Sequence, residues 1–118
     1  MERSLAVLLI DDDPVHLQIY SWLLKSAGFH AYPALVAAGS IQLPENQRID
    51  VAILDYRISG RLKVDEAARL IRSVFPRVPI ILLADVFDMP DDIVPHITTF
   101  VYKGQPDKLI AAVNDCAI

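Results

Sequence analysis

The 118-residue sequence has a single cysteine, Cys116, and that scarcity removes two structural options. One thiol closes no internal disulfide and brings no second thiolate to a metal, so a reducing compartment is the natural setting. Cys116 is then expected to be a small buried apolar side chain. Long apolar runs are also missing. The longest early one, Leu5 to Ile10, is far below the ~20 residues that span a bilayer. Met1-Glu2-Arg3-Ser4 does not have the form of a secretory leader, and a cytoplasmic protein is expected. Basic residues are outnumbered, 11 Lys and Arg against 15 Asp and Glu for a net charge of -4. With no basic stripe, direct nucleic-acid binding by this domain is not expected. Internal repeats, linkers and low-complexity tracts are absent.

What is present is apolar material in short blocks. Hydrophobic residues make up 53% and charged residues 22%, enough for one globular domain over residues 1–118 and too short a chain for two. Leu5 to Ile10, Val51 to Leu54 and Ile80 to Leu83 are continuously apolar rather than alternating, the mark of strands buried on both faces. Phe29 to Tyr32 and Thr99 to Tyr102 are weaker strand segments, the latter rich in β-branched and aromatic residues. Helical spacing lies between them. Leu17, Tyr20, Leu24 and Ala27 follow Pro14 and stop at Gly28, where a left-handed cap is expected. Ala67, Leu70, Ile71 and Val74 form a second apolar stripe, and Leu109, Ala112, Val113 and Cys116 a third behind Pro106. Ala34 to Leu43 reads as a poorer helix interrupted by Gly39. Strand and helix alternate, which predicts an α/β fold: one doubly wound, five-stranded parallel sheet with helices on both faces.

Ligands of such sheets gather beyond the carboxyl ends of the strands. The residues that follow the apolar runs are Asp11, Asp12 and Asp13, then Asp55, Asp85 and Lys103. Asp13 before Pro14 is an N-cap; Asp11 and Asp12 need another explanation, because uncompensated carboxylates behind a buried strand would titrate upward. In a flavodoxin-like strand order, 2-1-3-4-5, the ends bearing Asp11, Asp12 and Asp55 lie ~5 Å apart. Unit charges at ~4 Å repel by ~4 kcal/mol at an effective dielectric near 20, so a cation or shared protons are required. Mg²⁺, an all-oxygen ion satisfied by one or two carboxylates, suits the place. Lys103 can reach the same point with a compact charge. This is machinery for transferring a phosphoryl group to Asp55 as an acyl phosphate.

With those residues together, the chain resembles a receiver domain of bacterial two-component response regulators over its whole length. "LLIDDDP" is similar to the family's acidic pair, "VAILDYRISG" to its phosphoacceptor strand, "VPIILLA" to its fourth strand and "FVYKG" to its fifth with the lysine. The resemblance implies phosphorylation of Asp55 by a sensor histidine kinase or phosphotransfer protein. It also implies Mg²⁺ held by Asp12, Asp55 and the Arg57 carbonyl, with Asp11 acting through water.

The chain departs from the family pattern in places. Ala84 stands where the family has a switch Thr or Ser, and neither residue type occurs between Ser73 and Thr98, so no shift of register restores the hydroxyl. A lost charge-assisted bond of ~1.5 to 3 kcal/mol would weaken switching. Gly104 replaces a proline, predicting a trans, looser loop. The segment 84–100 is about a helical turn short and carries Pro90 and Pro95, so a short or distorted fourth helix is expected. Phe100 takes the place of the family's aromatic switch residue and also reads as core. Arg57 is either a solvated loop residue or a cation that pairs with the phosphoryl group or Asp11 and slows hydrolysis. His16, His30 and His96 are scattered, and no histidine chemistry is expected of them. Trp22 is expected to be partly buried, a homodimer contact being the alternative. The leading function is a phosphoacceptor, a signalling domain rather than an enzyme. Its alternative is a pseudo-receiver interaction module that lost the switch. A haloacid-dehalogenase-like phosphatase, suggested by Asp11-x-Asp13, is disfavoured by Pro14 and by the lack of room for a cap domain.

Overall fold

A computed structural model of the chain describes residues 4–38, 40–44, 46–56, 63–85 and 94–116. Among these residues six strands form one sheet: β1 (Ala6–Asp11), β2 (His30–Ala37), β3 (Ser40–Ile41), β4 (Val51–Asp55), β5 (Ile80–Ala84) and β6 (Thr99–Tyr102). Their order is β3-β2-β1-β4-β5-β6. All neighbouring pairs are parallel except β2 with β3. Among the described residues the longer helices are α1 (Pro14–Ser26), α2 (Val64–Val74) and α3 (Pro106–Cys116).

The apolar blocks become the central strands because both of their faces are covered. Every residue of β1, β4 and β5 is buried. Alternate side chains serve opposite layers. Leu8, Ile10, Ala52, Leu54, Ile80 and Leu82 pack on Ala67, Ala68 and Ile71 of α2. Val7, Leu9, Val51, Ile53, Ile81 and Leu83 pack on Leu17 and Leu24 of α1 and Leu109 and Val113 of α3. The fold is therefore the doubly wound α/β arrangement that alternation of strand and helix predicts, with helices on both faces.

The start of α1 is built by Asp13, whose Oδ1 accepts a hydrogen bond from the Val15 amide at 2.9 Å, with Pro14 in the first turn. Its end is a Schellman turn. The Phe29 amide donates to Leu24 O and the Gly28 amide to Lys25 O, both at 3.0 Å. Gly28 has φ +93°, the left-handed value expected of it.

The expected helix over Ala34 to Leu43 is not formed. Residues 34–37 continue β2, and the chain turns through Ala38 (φ 54°) into the two-residue β3, which pairs Ala37 with Ser40 and Val36 with Ile41. A four-residue apolar run fits either period, and here pairing with β1 decides: Ala34 and Val36 face the core while Leu35 and Ala37 face out. The sheet thus gains a short antiparallel edge strand beyond the five parallel ones. Pro33 is tolerated in β2 because β3 pairs only with residues 36 and 37, leaving the outer edge open at that point. Of the expected distorted fourth helix, residues 86–93 lie outside the described residues; Val94–His96 form one 3₁₀ turn.

Candidate functional site

The chain leaves β1 for β2 on one side and β4 on the other, so the sheet's switch point lies between β1 and β4. Asp11 ends β1 and Asp55 ends β4, and each is only 2% exposed. Lys103 follows β6. Its amide donates to Ala84 O at 2.8 Å, and its ammonium Nζ lies 3.0 Å from Asp55 Oδ1. The register that aligns Asp55 with Leu83 and Ala84 with Tyr102 brings the three strand ends level. A lysine two strands away from Asp55 can meet it because its stem crosses the end of β5.

Asp11 is pushed up from an ordinary 3.8 to about 8. Burial is the largest cause, followed by a hydrogen bond to Asp55, the charge of Asp55 and a hydrogen bond to Asp12; the Asp13 amide, which donates to Asp11 Oδ1 at 3.1 Å, works in the opposite sense. The expected conflict between buried carboxylates is therefore present, and a proton or a cation resolves it. Burial also pushes the Tyr20 phenol up; Lys103 opposes this, and Asp55 and Asp11 add to it.

Ligand atoms of Asp11, Asp55 and His16 all lie within 4.8 Å of one another. His16, of which no histidine chemistry was expected, stands beside these carboxylates. Its Nδ1 lies 3.5 Å from Asp11 Oδ2 and its Nε2 3.7 Å from Asp13 Oδ2. The signal was available: His16 is three residues beyond the cap Asp13, a spacing that puts both on one face of the first turn. Asp12, next in the chain, is half-buried and hydrogen-bonded to Asp11. Arg57 lies outside the described residues, and Asp85 is exposed.

Ala84 is fully buried at the end of β5, a methyl group and no hydroxyl. Phe100 is half-buried against the α2-side core and meets Tyr102 edge to face at 4.6 Å. No peptide bond among the described residues is cis, and Gly104 has φ +82°. Proline, locked near -65°, does not fit that conformation. Trp22 is a correction: it is 70% exposed and continues an outward stripe with Val15 and Ile19 on α1. Its spacing from the buried Leu17 and Leu24 turns it away from the sheet.

Residues 7–114 match the response regulator receiver domain. This chain belongs to that family. It is 32% identical over 81 residues to a probable transcriptional regulatory protein, TcrX, of Mycobacterium tuberculosis, covering 69% of this chain and 34% of that protein. It is 27% identical over 113 residues to the transcriptional regulatory protein GlrR of Escherichia coli, covering 92% of this chain and 25% of that one. The chain thus spans about a third and a quarter of the length of these relatives. The chemotaxis protein CheY4 of Vibrio cholerae superposes with a TM-score of 0.81 at 23% identity, covering 97% of this chain and 99% of that one. The receiver domain of a Pseudomonas aeruginosa sensor histidine kinase superposes with a TM-score of 0.77 at 25% identity, covering 98% of each chain, and was solved with magnesium coordinated in its active-site cleft. Receiver domains are signalling modules. Among the described residues no helix is long and apolar enough to cross a membrane.

Proposed function

We propose that this receiver domain accepts a phosphoryl group on Asp55 from a phosphohistidine of a sensor histidine kinase or phosphotransfer protein, in the cytoplasm. The observation that carries this reading is the Lys103 to Asp55 contact of 3.0 Å beside a second buried carboxylate, at the one point where strand order reverses. An Asp55 carboxylate oxygen attacks phosphorus, an O–P bond forms, the donor's N–P bond breaks, and the departing imidazole takes up a proton. Lys103 offsets charge on the transferring oxygens and holds the Asp55 carboxylate in one orientation.

Two buried carboxylates that cannot both ionise without compensation fit a divalent cation. Asp11, Asp12 and Asp55, with the carbonyl of Arg57, are the residues that would hold Mg²⁺. When bound, that ion neutralises charge on the phosphoryl oxygens. Incubation with Mg²⁺ and acetyl phosphate tests the reading. An acid-stable, base-labile adduct that is absent from Asp55→Asn is expected, and no adduct on the folded parent would overturn it.

One observation favours a second reading, an interaction module with weakened switching: the buried methyl of Ala84 supplies no hydrogen bond to a phosphorylated Asp55. Under that reading partner binding is the same with and without the phosphodonor, and a change in oligomeric state on phosphorylation argues against it.

A further inference from the structure

His16 gives this pocket a donor that an all-oxygen magnesium site does not need. Its Nδ1 stands 3.5 Å from Asp11 Oδ2, within the ~3 to 3.5 Å that neighbouring donors keep around one dication. Asp55 completes a set whose ligand atoms all fall within 4.8 Å. The opposite nitrogen carries an independent indication. Histidines that bind metals hand their second N–H to a carboxylate, which sets the tautomer and the ring orientation. His16 Nε2 faces Asp13 Oδ2 at 3.7 Å, while Asp13 Oδ1 is occupied by the Val15 amide. The carboxylate that caps the helix stands beside that nitrogen, just beyond hydrogen-bond distance, and a small shift of the ring on metal binding would let it accept the N–H. The ring is further set by an edge contact with Tyr20 at 6.5 Å between centroids. His16 is nearly half exposed, so the nitrogen approaches from the solvent side of two buried oxygens.

We propose that His16 supplies a nitrogen ligand, through Nδ1, to the cation held by Asp11 and Asp55, so that this pocket takes a first-row transition dication in preference to Mg²⁺. This inference rests on the cation site in the proposed function. Mg²⁺ is a hard ion that prefers oxygen and retains water, whereas imidazole adds affinity along the series that rises from Mn²⁺ through Co²⁺ to Ni²⁺. Asp13 acts as a positioning residue that touches no metal.

The experiment is calorimetric titration of the full chain with Co²⁺ and with Mg²⁺, comparing the parent with His16→Ala and Asp13→Asn. The ratio of the two affinities is the readout, because Co²⁺ binds oxygen sites more tightly than Mg²⁺ without any help from His16. His16→Ala is expected to lower that ratio by about 10- to 100-fold. Asp13→Asn, which keeps the helix cap, is expected to lower it less. Proton NMR of the Co²⁺-loaded parent should show a hyperfine-shifted, exchangeable imidazole N–H resonance that is lost in His16→Ala. A ratio unchanged within about twofold and no such resonance would overturn the inference and leave His16 as a neighbour of Asp11 and Asp13 that binds no metal. Phosphorylation of Asp55 in that case would leave the phosphoacceptor reading standing. The resonance without any adduct at Asp55 would overturn that reading alone.

Discussion

Asp11→Asn is expected to make the metal-free protein more stable at neutral and alkaline pH. In the folded chain the Asp11 carboxyl is pushed up to about 8, against 3.8 for the ordinary group. Below about pH 4 both states hold the proton and the group is neutral on each side. Above it the unfolded chain releases the proton while the fold retains it, so the unfolded state binds fewer protons and stability falls as pH rises, levelling off above about pH 8. The slope has a ceiling of about 1.4 kcal/mol per pH unit. Over the three units up to pH 7 that bounds the loss near 4 kcal/mol, and relaxation of the site reduces it to about 2 to 4. Asparagine is neutral at every pH, its amide oxygen can accept from the Asp13 amide as Asp11 Oδ1 does, and its amino group can donate to Asp55. For a domain of this size the difference corresponds to about 10 °C in Tm. Thermal unfolding followed by circular dichroism from pH 4 to pH 9, with chelator present, gives the comparison. The gap between variant and parent should be near zero at pH 4 and widen through pH 8. Mg²⁺ should then narrow it by stabilising the parent, which keeps both carboxylates. A gap that is constant across this range, or a variant less stable than the parent at pH 8, would refute the assignment of a raised Asp11.

Lys103→Ala removes the cation 3.0 Å from Asp55, and adduct formation with acetyl phosphate should slow by about 10² or more; quenched-flow labelling measures it, and a change under threefold contradicts the role. Ala84→Ser places a hydroxyl at the buried end of β5, and phosphorylation should then shift the active-state equilibrium ~10- to 150-fold further than in the parent, read as hydrogen-exchange protection of residues 98–104. Gly104→Ala forces a side chain into φ +82° and is expected to cost about 1 to 2 kcal/mol by urea unfolding, with Gly104→Pro costing more. Equal midpoints for glycine and proline would show that the turn after Lys103 is not the one described.

Much of the site was legible because its parts are local. Continuous apolar runs specify strands buried on two faces, and the polar residues that end those runs then share one side of the sheet; Asp11, Asp55 and Lys103 follow from that rule. The departures are equally local, since Ala84 and Gly104 are single residues read in place. His16 was missed because its neighbours in sequence, Val15 and Leu17, identify it only as a helix residue; its relation to Asp55 depends on β1 lying beside β4. Trp22 was misjudged for a related reason, because a helical stripe says which residues can be buried together and leaves open how far the adjoining surface is covered.

By itself the sequence determined the alternation of strand and helix, the Asp13 cap and Gly28 turn that bound α1, and the acidic groups that end the apolar runs, because each depends on contacts within a few residues. Tertiary structure alone decided that residues 34–37 extend a strand and that an imidazole comes within 4.8 Å of the carboxyls that end β1 and β4. Those outcomes depend on free energy from pairing and burial between segments far apart in the chain. Local propensity at such places is too weak to choose, so the neighbour across the sheet makes the choice.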